Sequence, residues 1–503
     1  MRRKSFRDVL FAAIVLCLSG AVCAPVYAEE NDFEARWEYT YKVLEDNTAE
    51  ITGFEYKWED ESYSESDGSQ YISLEIPGEI DSHIVSGIAK EAFRYWDSIT
   101  SVGIPASVKT IGESAFEGCS EITTLKIADG VETIGKRAFA YCDGLRSVRL
   151  PDSIVKIEGN SFQRCSDLTE FYVTPDHPVY AVLDGVLYEK DGKKLCVYPY
   201  GRSASTYKIP EDVLEIGSYA FAGCDGLREI ELSSTVKKIG SGAFSECTSL
   251  TEFTIPDSVE EIGSNPFRNC VSLKKFHISP DQPKFCDIDE VLFDKTKNSL
   301  ITFPGDYRTE KYEIPEGVTE IGAYAFAGCN NLNELKIAST VQVVGDHAFE
   351  YCGYLSTLVF PEGLLSIGKS AFSGCSGFEQ FLIPSTVQTI GSAAFDGCYY
   401  LRSIEIPSGV EDISENLFRS CSSLSTVIIP EGVKTIEKGA FSYCYDLNEL
   451  EIPDSVKEIK EDIFEGCSDF LMLIVGRKSK AREYAREHDM LYTYTDADSW
   501  LHK

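Results

Sequence analysis

The sequence predicts an α/β solenoid of about fourteen 23-residue coils, and three observations point to it. Thirteen of the 17 cysteines recur at gaps of 23 residues, interrupted twice by gaps of 59. Each interval carries apolar residues at the same places, and each contains a short, alternating, β-branched segment. Because a single 23-residue repeat cannot bury its own apolar side chains, successive repeats must stack on one another.

The repeat at residues 383–398, continued by Leu401 and Ile404, shows every recurring feature. Its LxxIxIP segment is typical of a strand that ends at proline, which has no N–H group to donate, and we expect these strands to form one parallel sheet. The SxAFxxC segment is predicted to form a short helical turn on the opposite wall. The glycine after the VxxI pair is predicted to adopt a positive φ. Phe93 and Trp96 mark one further, degenerate repeat.

The pattern IPxxVxxIGxxAFxxCxxLxxI, which extends over roughly residues 70–475, resembles the BspA-like leucine-rich repeats of bacterial surface proteins. This resemblance implies a leucine-rich-repeat horseshoe over residues 71–475. It also implies secretion or surface display and adhesion to host proteins or other cells. The family pattern contains no catalytic residues that could be carried over to this chain.

Each 59-residue gap contains one repeat and an insertion, near residues 174–208 and 279–313. Both insertions alternate around a polar turn, at residues 191–192 in the first and 297–298 in the second. The alternation predicts a β-hairpin projecting from the solenoid in each case.

The second insertion also contains acidic residues, Asp287, Asp289 and Glu290, whose oxygen atoms could hold calcium. A solvated hairpin edge is the favoured interpretation of this segment. Glu290 stands where the first insertion has Gly185, which favours a different local turn.

Both ends of the chain differ from the repeats. Residues 1–28 are predicted to be a secretory signal peptide cleaved after Ala28, because a basic start precedes an apolar run too short to cross a bilayer. Residues 29–70 are predicted to form a capping β-hairpin and a loop, and residues 476–503 a cap of one helix and one strand. Caps are expected because an open solenoid end would expose its core.

Charge and chemistry exclude several classes of function. The chain has 47 Lys and Arg against 81 Asp and Glu, for a net charge of −34. It is therefore not expected to present the clustered positive charge that binds nucleic acid or an anionic membrane. The cysteines form a row rather than converging metal-ligand pairs, and parallel neighbours in register do not match disulfide geometry, so buried free thiols are expected. We predict no catalytic residue, cofactor or metal, no transmembrane span, and no enzymatic activity.

The surface therefore carries the functional hypothesis. Strand positions five and seven after each marker cysteine should point outward and line the concave sheet of the horseshoe. Two groups at or beside these positions are candidate partner-binding residues: a cationic and aromatic group (Arg146, Arg149, Tyr172) and an apolar group (Val359, Leu382, Ile428). Ordinary β-propensity on a sheet face is the alternative explanation for the apolar group.

These observations predict a secreted or surface-displayed interaction protein that binds a host matrix protein, a glycan or another cell. One alternative is a structural envelope component without a specific ligand. The other is an exported hydrolase that uses the repeats for targeting, although the non-repeat segments are too short for a separate catalytic domain.

Overall fold

The computed structural model describes residues 36–57, 71–190, 193–296, 298–307 and 310–496. The predicted signal peptide, much of the loop before residue 71, the turn at residues 191–192 and Lys297 lie outside the described residues. The chain divides into two compact units. The first comprises residues 1–191 and 199–202, and the second comprises residues 192–198 and 203–503.

The first unit is built from β-strands. They are β1 (Arg36–Val43), β2 (Ala49–Lys57), β3 (Ile72–Glu75), β4 (Glu79–Ile80), β5 (His83–Ile88), β6 (Ile99–Ile104), β7 (Thr110–Ile111), β8 (Thr124–Ile127), β9 (Thr133–Ile134), β10 (Ser147–Arg149), β11 (Lys156–Ile157), β12 (Glu170–Tyr172), β13 (Tyr180–Leu183) and β14 (Val186–Glu189).

The second unit continues the same pattern and ends with a helix and a strand. Its elements are β15 (Lys194–Val197), β16 (Thr206–Lys208), β17 (Glu215–Ile216), β18 (Glu229–Glu231), β19 (Lys238–Ile239), β20 (Glu252–Ile255), β21 (Glu261–Ile262), β22 (Lys275–Ile278), β23 (Phe285–Ile288), β24 (Val291–Asp294), β25 (Ser299–Thr302), β26 (Lys311–Glu313), β27 (Glu320–Ile321), β28 (Glu334–Lys336), β29 (Val343–Val344), β30 (Thr357–Val359), β31 (Ser366–Ile367), β32 (Gln380–Phe381), β33 (Thr389–Ile390), β34 (Ser403–Glu405), β35 (Asp412–Ile413), β36 (Thr426–Ile428), β37 (Thr435–Ile436), β38 (Glu449–Ile452), β39 (Glu458–Ile459), β40 (Met472–Val475), α1 (Lys480–Glu487) and β41 (Leu491–Tyr494).

Two series of strands run through the repeats of each unit. The face strands come from the LxxIxIP segments, as in β28 and β30, where Glu334 lies opposite Thr357 in parallel register. The wall strands are two-residue strands from the VxxIG segments, as in β27 and β29, where Ile321 lies opposite Val344. The predicted solenoid of stacked parallel-strand coils is confirmed, and the wall strands form a second parallel series that the sequence did not predict.

The core of each coil lies between its two strands, and stacked phenylalanines run through it. The rings of Phe326 and Phe349 are 5.1 Å apart and nearly parallel, and those of Phe349 and Phe372 are 5.2 Å apart. All three side chains are fully buried. Such offset aromatic pairs add stability beyond the area that they bury.

The SxAFxxC segment is a pair of tight turns and not the predicted helical turn. In one coil His347 and Tyr351 adopt left-handed backbone conformations, with φ of 55° and 58°. The amides of His347, Phe349 and Tyr351 each donate to a carbonyl of the next coil, at 2.7 to 2.8 Å. Because alternate amides point along the stack, they cannot form the hydrogen bonds of a helix.

The glycine after the VxxI pair has a different role from the predicted one. In the coil of Phe372 this residue is Gly368, which does not adopt a positive φ. A Cβ atom on Gly368 would lie 2.6 Å from the backbone nitrogen of Asp346 in the preceding coil. The glycine is therefore required by the close approach of two backbones and not by a left-handed turn.

The marker cysteines form a ladder of free thiols within the described residues. Most of these thiols donate to the backbone carbonyl of a phenylalanine in the preceding coil, as Cys352 does to Phe326 at 3.0 Å and Cys375 to Phe349 at 3.0 Å. Burial raises the pKa of Cys352 to about 12. These thiols are therefore hydrogen-bond donors in addition to small core groups.

The second insertion joins the stack and does not project from it as predicted. Strands β23, β24 and β25 form an antiparallel meander, and β25 then pairs in parallel with the wall strand β27, placing Leu300 opposite Ile321. The side chains of Val291 and Phe293 are buried in the core. The insertion thus supplies its own wall strand, and the described residues form about 18 turns in all.

The predicted difference between the two insertion turns is also wrong. Asp289 and Glu290 have φ of 51° and 70°, and Asp184 and Gly185 have φ of 48° and 73°. Both pairs close two-residue hairpins, β23–β24 and β13–β14. Glu290 therefore adopts the left-handed conformation that Gly185 reaches without steric cost.

Non-repeat elements lie at the two ends. Strands β1 and β2 form an antiparallel hairpin, and β2 pairs in parallel with β5 through Ile51 and Ile88. At the other end α1 begins at Ser479, whose side chain accepts a hydrogen bond from the amide of Arg482. The helix packs Tyr484 inward, and β41 pairs in parallel with β40. None of the described helices has the length and apolarity needed to cross a membrane.

Candidate interaction surface

The face strands present alternate side chains to solvent. In β18, for example, Glu229 and Glu231 are exposed while Ile230 between them is buried. The same exposed–buried–exposed pattern recurs in β28, β30 and β36. As predicted, positions five and seven after a marker cysteine face solvent in these strands.

Several outward positions of the face strands carry charged residues that form ion pairs between neighbouring coils. Lys208 lies 2.9 Å from Glu231 in the next coil. Lys311 pairs with Glu334, and Lys336 pairs with Glu313, at the same offset of 23 residues. Exposed pairs of this kind contribute little to stability, so they mainly define where the surface is polar.

The cationic and aromatic candidates lie in the first unit, and only two of them come together. Arg149 in β10 lies opposite Tyr172 in β12, with its guanidinium carbon 5.5 Å from the ring centroid. A hydrogen bond to the Glu170 carboxylate raises the pKa of Tyr172, while the charge of Arg149 acts in the opposite direction. Arg146 instead points toward Asp167, at 3.8 Å.

The apolar candidates lie in the second unit on outward positions of three different coils. Val359 ends β30, Leu382 directly follows β32, and Ile428 ends β36. Their exposed fractions are 66%, 70% and 51%. Glu405 lies opposite Ile428 in the parallel register of β34 and β36, so one carboxylate separates Leu382 from Ile428. Val359 and Leu382 thus lie on adjacent coils, and Ile428 lies two coils farther along, on the other side of Glu405.

An open cleft of about 350 Å³ that the sequence did not reveal lies beside the second insertion. Thr254, His277 and Asp287 are among its lining residues. Next to it Glu252 accepts a hydrogen bond from His277 at 2.7 Å and pairs with Lys275 at 3.2 Å. The bond from His277, with that from Lys275, lowers the pKa of Glu252. His277 at the cleft is therefore already bound to a neighbouring carboxylate.

The acidic segment of the second insertion does not assemble a cation site. Asp287 faces the cleft, and within the described ranges no group of three or more His, Cys, Asp or Glu residues could hold a metal ion. Asp289 and Glu290 form the tight turn between β23 and β24. The geometry thus gives this segment a conformational role.

The repeat pattern, the two strand series and the thiol ladder agree with one family of repeats. A family model described as BspA type leucine rich repeat region matches residues 86–181, 198–312, 301–376 and 342–471 in six copies. The chain belongs to this family. Membership makes it a repeat-based interaction or surface protein, and the family's repeats are typical of binding proteins without catalytic activity.

Several solved structures resemble the chain. A leucine rich cell surface protein from Faecalibacterium prausnitzii is 28% identical, and the match covers 79% of this chain and 95% of that one, with a TM-score of 0.45. A leucine-rich repeat protein from Eubacterium ventriosum is 22% identical over 86% and 95% of the two chains, with a TM-score of 0.47. The pneumococcal vaccine antigen PcpA is 20% identical over 92% and 98%, with a TM-score of 0.40. No curated protein matches the chain.

Proposed function

We propose that this chain is exported, is displayed outside the cell, and binds an extracellular protein through the face strands of its second unit. The observation that carries the proposal is the exposure of Val359, Leu382 and Ile428 at outward positions that several other coils fill with paired charges. Family membership and the predicted signal peptide support the extracellular location.

A protein partner would gain free energy by burying the apolar side chains of this surface. Burying one large aliphatic side chain stabilises a complex by about 1.5–3 kcal/mol relative to leaving it in water. Interfaces commonly place such residues at the centre and polar residues at the rim. Here Lys336, opposite Val359 in the register of β28 and β30, and Glu405 supply polar groups beside the apolar side chains.

The test uses the mature chain, residues 29–503, against a printed panel of extracellular matrix and cell-surface proteins. Leu382→Asp should abolish binding without lowering the melting temperature, because the side chain is exposed. Thr254→Asp is the matched control, since Thr254 occupies the same position seven residues after its marker cysteine and is also exposed. This control should bind like the wild-type chain.

Three outcomes would contradict the proposal in different ways. Binding that survives Leu382→Asp but is lost in Arg149→Ala would move the site to the first unit. Loss only on deletion of the second insertion would assign binding to that segment. A wild-type chain that retains no partner from the panel or from whole cells would favour a structural envelope component.

A further inference from the structure

A second exposed surface lies on the turns around the marker cysteines of the second unit. We define the turn strip as the residues one before, one after and two after each marker cysteine from Cys329 to Cys421. Within it, exposed tyrosines occur in the coils of Cys352 and Cys398, whereas the coils of Cys329, Cys375 and Cys421 carry only glycine, serine and asparagine. Large and small coils therefore alternate.

The tyrosines of the strip fall into two classes. A Cβ atom on Gly374 would lie 2.4 Å from Cδ1 of Tyr351, so the Tyr351 ring lies flat on the glycine of the next coil. Tyr354 and Tyr400 have no such cover and are 66% and 61% exposed. Neither of their hydroxyl groups makes a hydrogen bond within the described part of the chain. These two rings are therefore available to a partner.

Their spacing follows from the stack. Tyr354 and Tyr400 both lie two residues after a marker cysteine, two coils apart, and Gly377 occupies the same position in the coil between them. Two strand spacings place the two rings about 10 Å apart. In the turn strip, the coils that carry tyrosines form aromatic ridges. The coils between them, which carry only small residues, form shallow floors.

The strip also carries no charge. All fifteen of its positions are uncharged in a chain in which 25% of residues are charged. The equivalent turns of the first unit contain Asp143, Arg164 and Asp167. The strip therefore lacks the complementary charge that an anionic or cationic polymer would require.

We infer that the turn strip binds an extended, neutral polysaccharide. A pyranose ring presents a flat face of C–H groups that stacks on an aromatic ring, and its edge carries hydroxyl groups that need hydrogen-bond partners. Tyr354 and Tyr400 supply the stacking faces at little cost in side-chain entropy. The half-buried Ser376 and Ser423, whose hydroxyls make no hydrogen bond within the described part of the chain, supply polar groups on the floors. This surface differs from the face strands, so the inference does not depend on the protein partner proposed above.

The experiment measures binding of the mature chain to a printed array of neutral, uronic-acid and sulfated glycans. The wild-type chain should bind neutral glycans only. The double variant Tyr354→Ala/Tyr400→Ala should weaken binding to the best neutral glycan at least about tenfold, while Tyr354→Phe/Tyr400→Phe should keep most of it, because stacking needs the ring. Since these side chains are exposed, the melting temperature should not change.

Two controls separate this site from other surfaces. Tyr71→Ala removes a tyrosine of similar exposure, 64%, in the first unit and should leave glycan binding unchanged. Leu382→Asp should also leave it unchanged while abolishing binding of a protein partner. Conversely, Ser376→Trp, which fills the floor between two ridges, should weaken glycan binding.

The inference fails if the wild-type chain binds none of the neutral glycans or binds anionic glycans equally well. It also fails if the double alanine variant keeps full affinity, or if these tyrosines capture a protein instead of a glycan. Loss of glycan binding in Leu382→Asp would place the glycan on the face strands and would likewise overturn it.

Discussion

Within the second unit, the coils that have a glycine after the VxxI pair stack more closely than the coils that lack it. In the glycine-containing coils, the phenylalanine rings of successive coils lie 4.9 to 5.5 Å apart. The distances are 4.9 Å for Phe303–Phe326, 5.1 Å for Phe326–Phe349, 5.2 Å for Phe349–Phe372 and 5.5 Å for Phe372–Phe395. In the following coils, where Ser414, Glu437 and Lys460 replace glycine, the distances are 5.8, 5.7 and 5.8 Å.

A wider spacing of the rings therefore accompanies the loss of this glycine, while the backbone hydrogen bond at the same position changes little. The amide of Gly368 donates to the carbonyl of Val344 at 2.8 Å, whereas the amide of Lys460 donates to that of Ile436 at 2.9 Å. The first unit shows a smaller difference in the same direction, because Glu158 replaces glycine in the coil of Phe162, and the Phe139–Phe162 distance is 5.5 Å, against 5.1 Å for Phe93–Phe116 and 5.3 Å for Phe116–Phe139.

The largest expected effect comes from removing the ring at the boundary between the two regions. Phe395 is fully buried and lies 5.5 Å from Phe372 and 5.8 Å from Phe418. Phe395→Ala should lower the free energy of unfolding by about 3–5 kcal/mol, because it leaves a cavity between stacked coils. Chemical denaturation measures the change, and a melting curve unchanged within error would contradict the stacked packing.

A smaller effect is expected from a methyl group in the closely stacked region. Gly368→Ala would place Cβ 2.6 Å from the backbone nitrogen of Asp346, so one coil must move away from its neighbour. The expected loss is about 1–3 kcal/mol, as for other overpacked sites. If this variant is as stable as the wild-type chain, close backbone approach does not explain the glycine.

Thiol alkylation compares the two regions without mutation. Burial raises the pKa of Cys352 to about 12 and that of the half-buried Cys467 to about 11. At pH 8.5 both thiols are mostly protonated, but the less buried Cys467 should carry more thiolate, the reactive form. Mass spectrometry after a short iodoacetamide pulse should therefore show Cys467 labelled faster than Cys352, with equal labelling in guanidinium.

The same shifts predict the pH dependence of stability. The thiol of an unfolded chain loses its proton near the ordinary value of 9.0, whereas Cys352 holds its proton to about pH 12. The stabilisation is therefore complete below about pH 9 and is lost as the pH rises toward 12. Denaturation midpoints that stay constant across this range would contradict burial of the ladder.

The smallest expected effect concerns Ser414 in the more widely spaced region. Its hydroxyl donates to the carbonyl of Ile390, and no glycine-like backbone contact is needed there. Ser414→Ala should cost about 1 kcal/mol, the net value of one hydrogen bond. A loss of stability larger than that of Gly368→Ala would contradict the expectation that the closely stacked region is the more sensitive one.

The sequence predicted the coil length and the inward residues because each marker cysteine and each buried phenylalanine recurs in register. It also predicted the outward positions, since Glu229 and Glu231 alternate with a buried isoleucine. It did not predict the wall strands, because a two-residue strand such as Thr389–Ile390 is too short to show alternation. A glycine such as Gly368 looks the same in a sequence whether it serves a left-handed turn or a close backbone contact.

The other incorrect predictions concern features that are visible only when equivalent residues of neighbouring coils are compared. Strand β25 replaces a wall strand without a VxxIG signature, so only the parallel pairing of Leu300 with Ile321 reveals that the insertion joins the stack. The turn strip was detectable in the sequence, because Tyr354 and Tyr400 share one repeat position. Its recognition requires columns of equivalent positions to be read across coils.

The left-handed residues of each coil have a consequence for how such a protein changes over generations. The residue before the marker cysteine keeps this conformation whether it is Tyr351, Glu246, Asn269 or Ser420. Its amide is held by the neighbouring coil, as in the hydrogen bond from Tyr351 to Ser373, so the backbone does not depend on the side chain. Point mutations can therefore change the side chains along this edge of the molecule without changing its backbone. Natural selection can thus vary this surface while the fold stays the same.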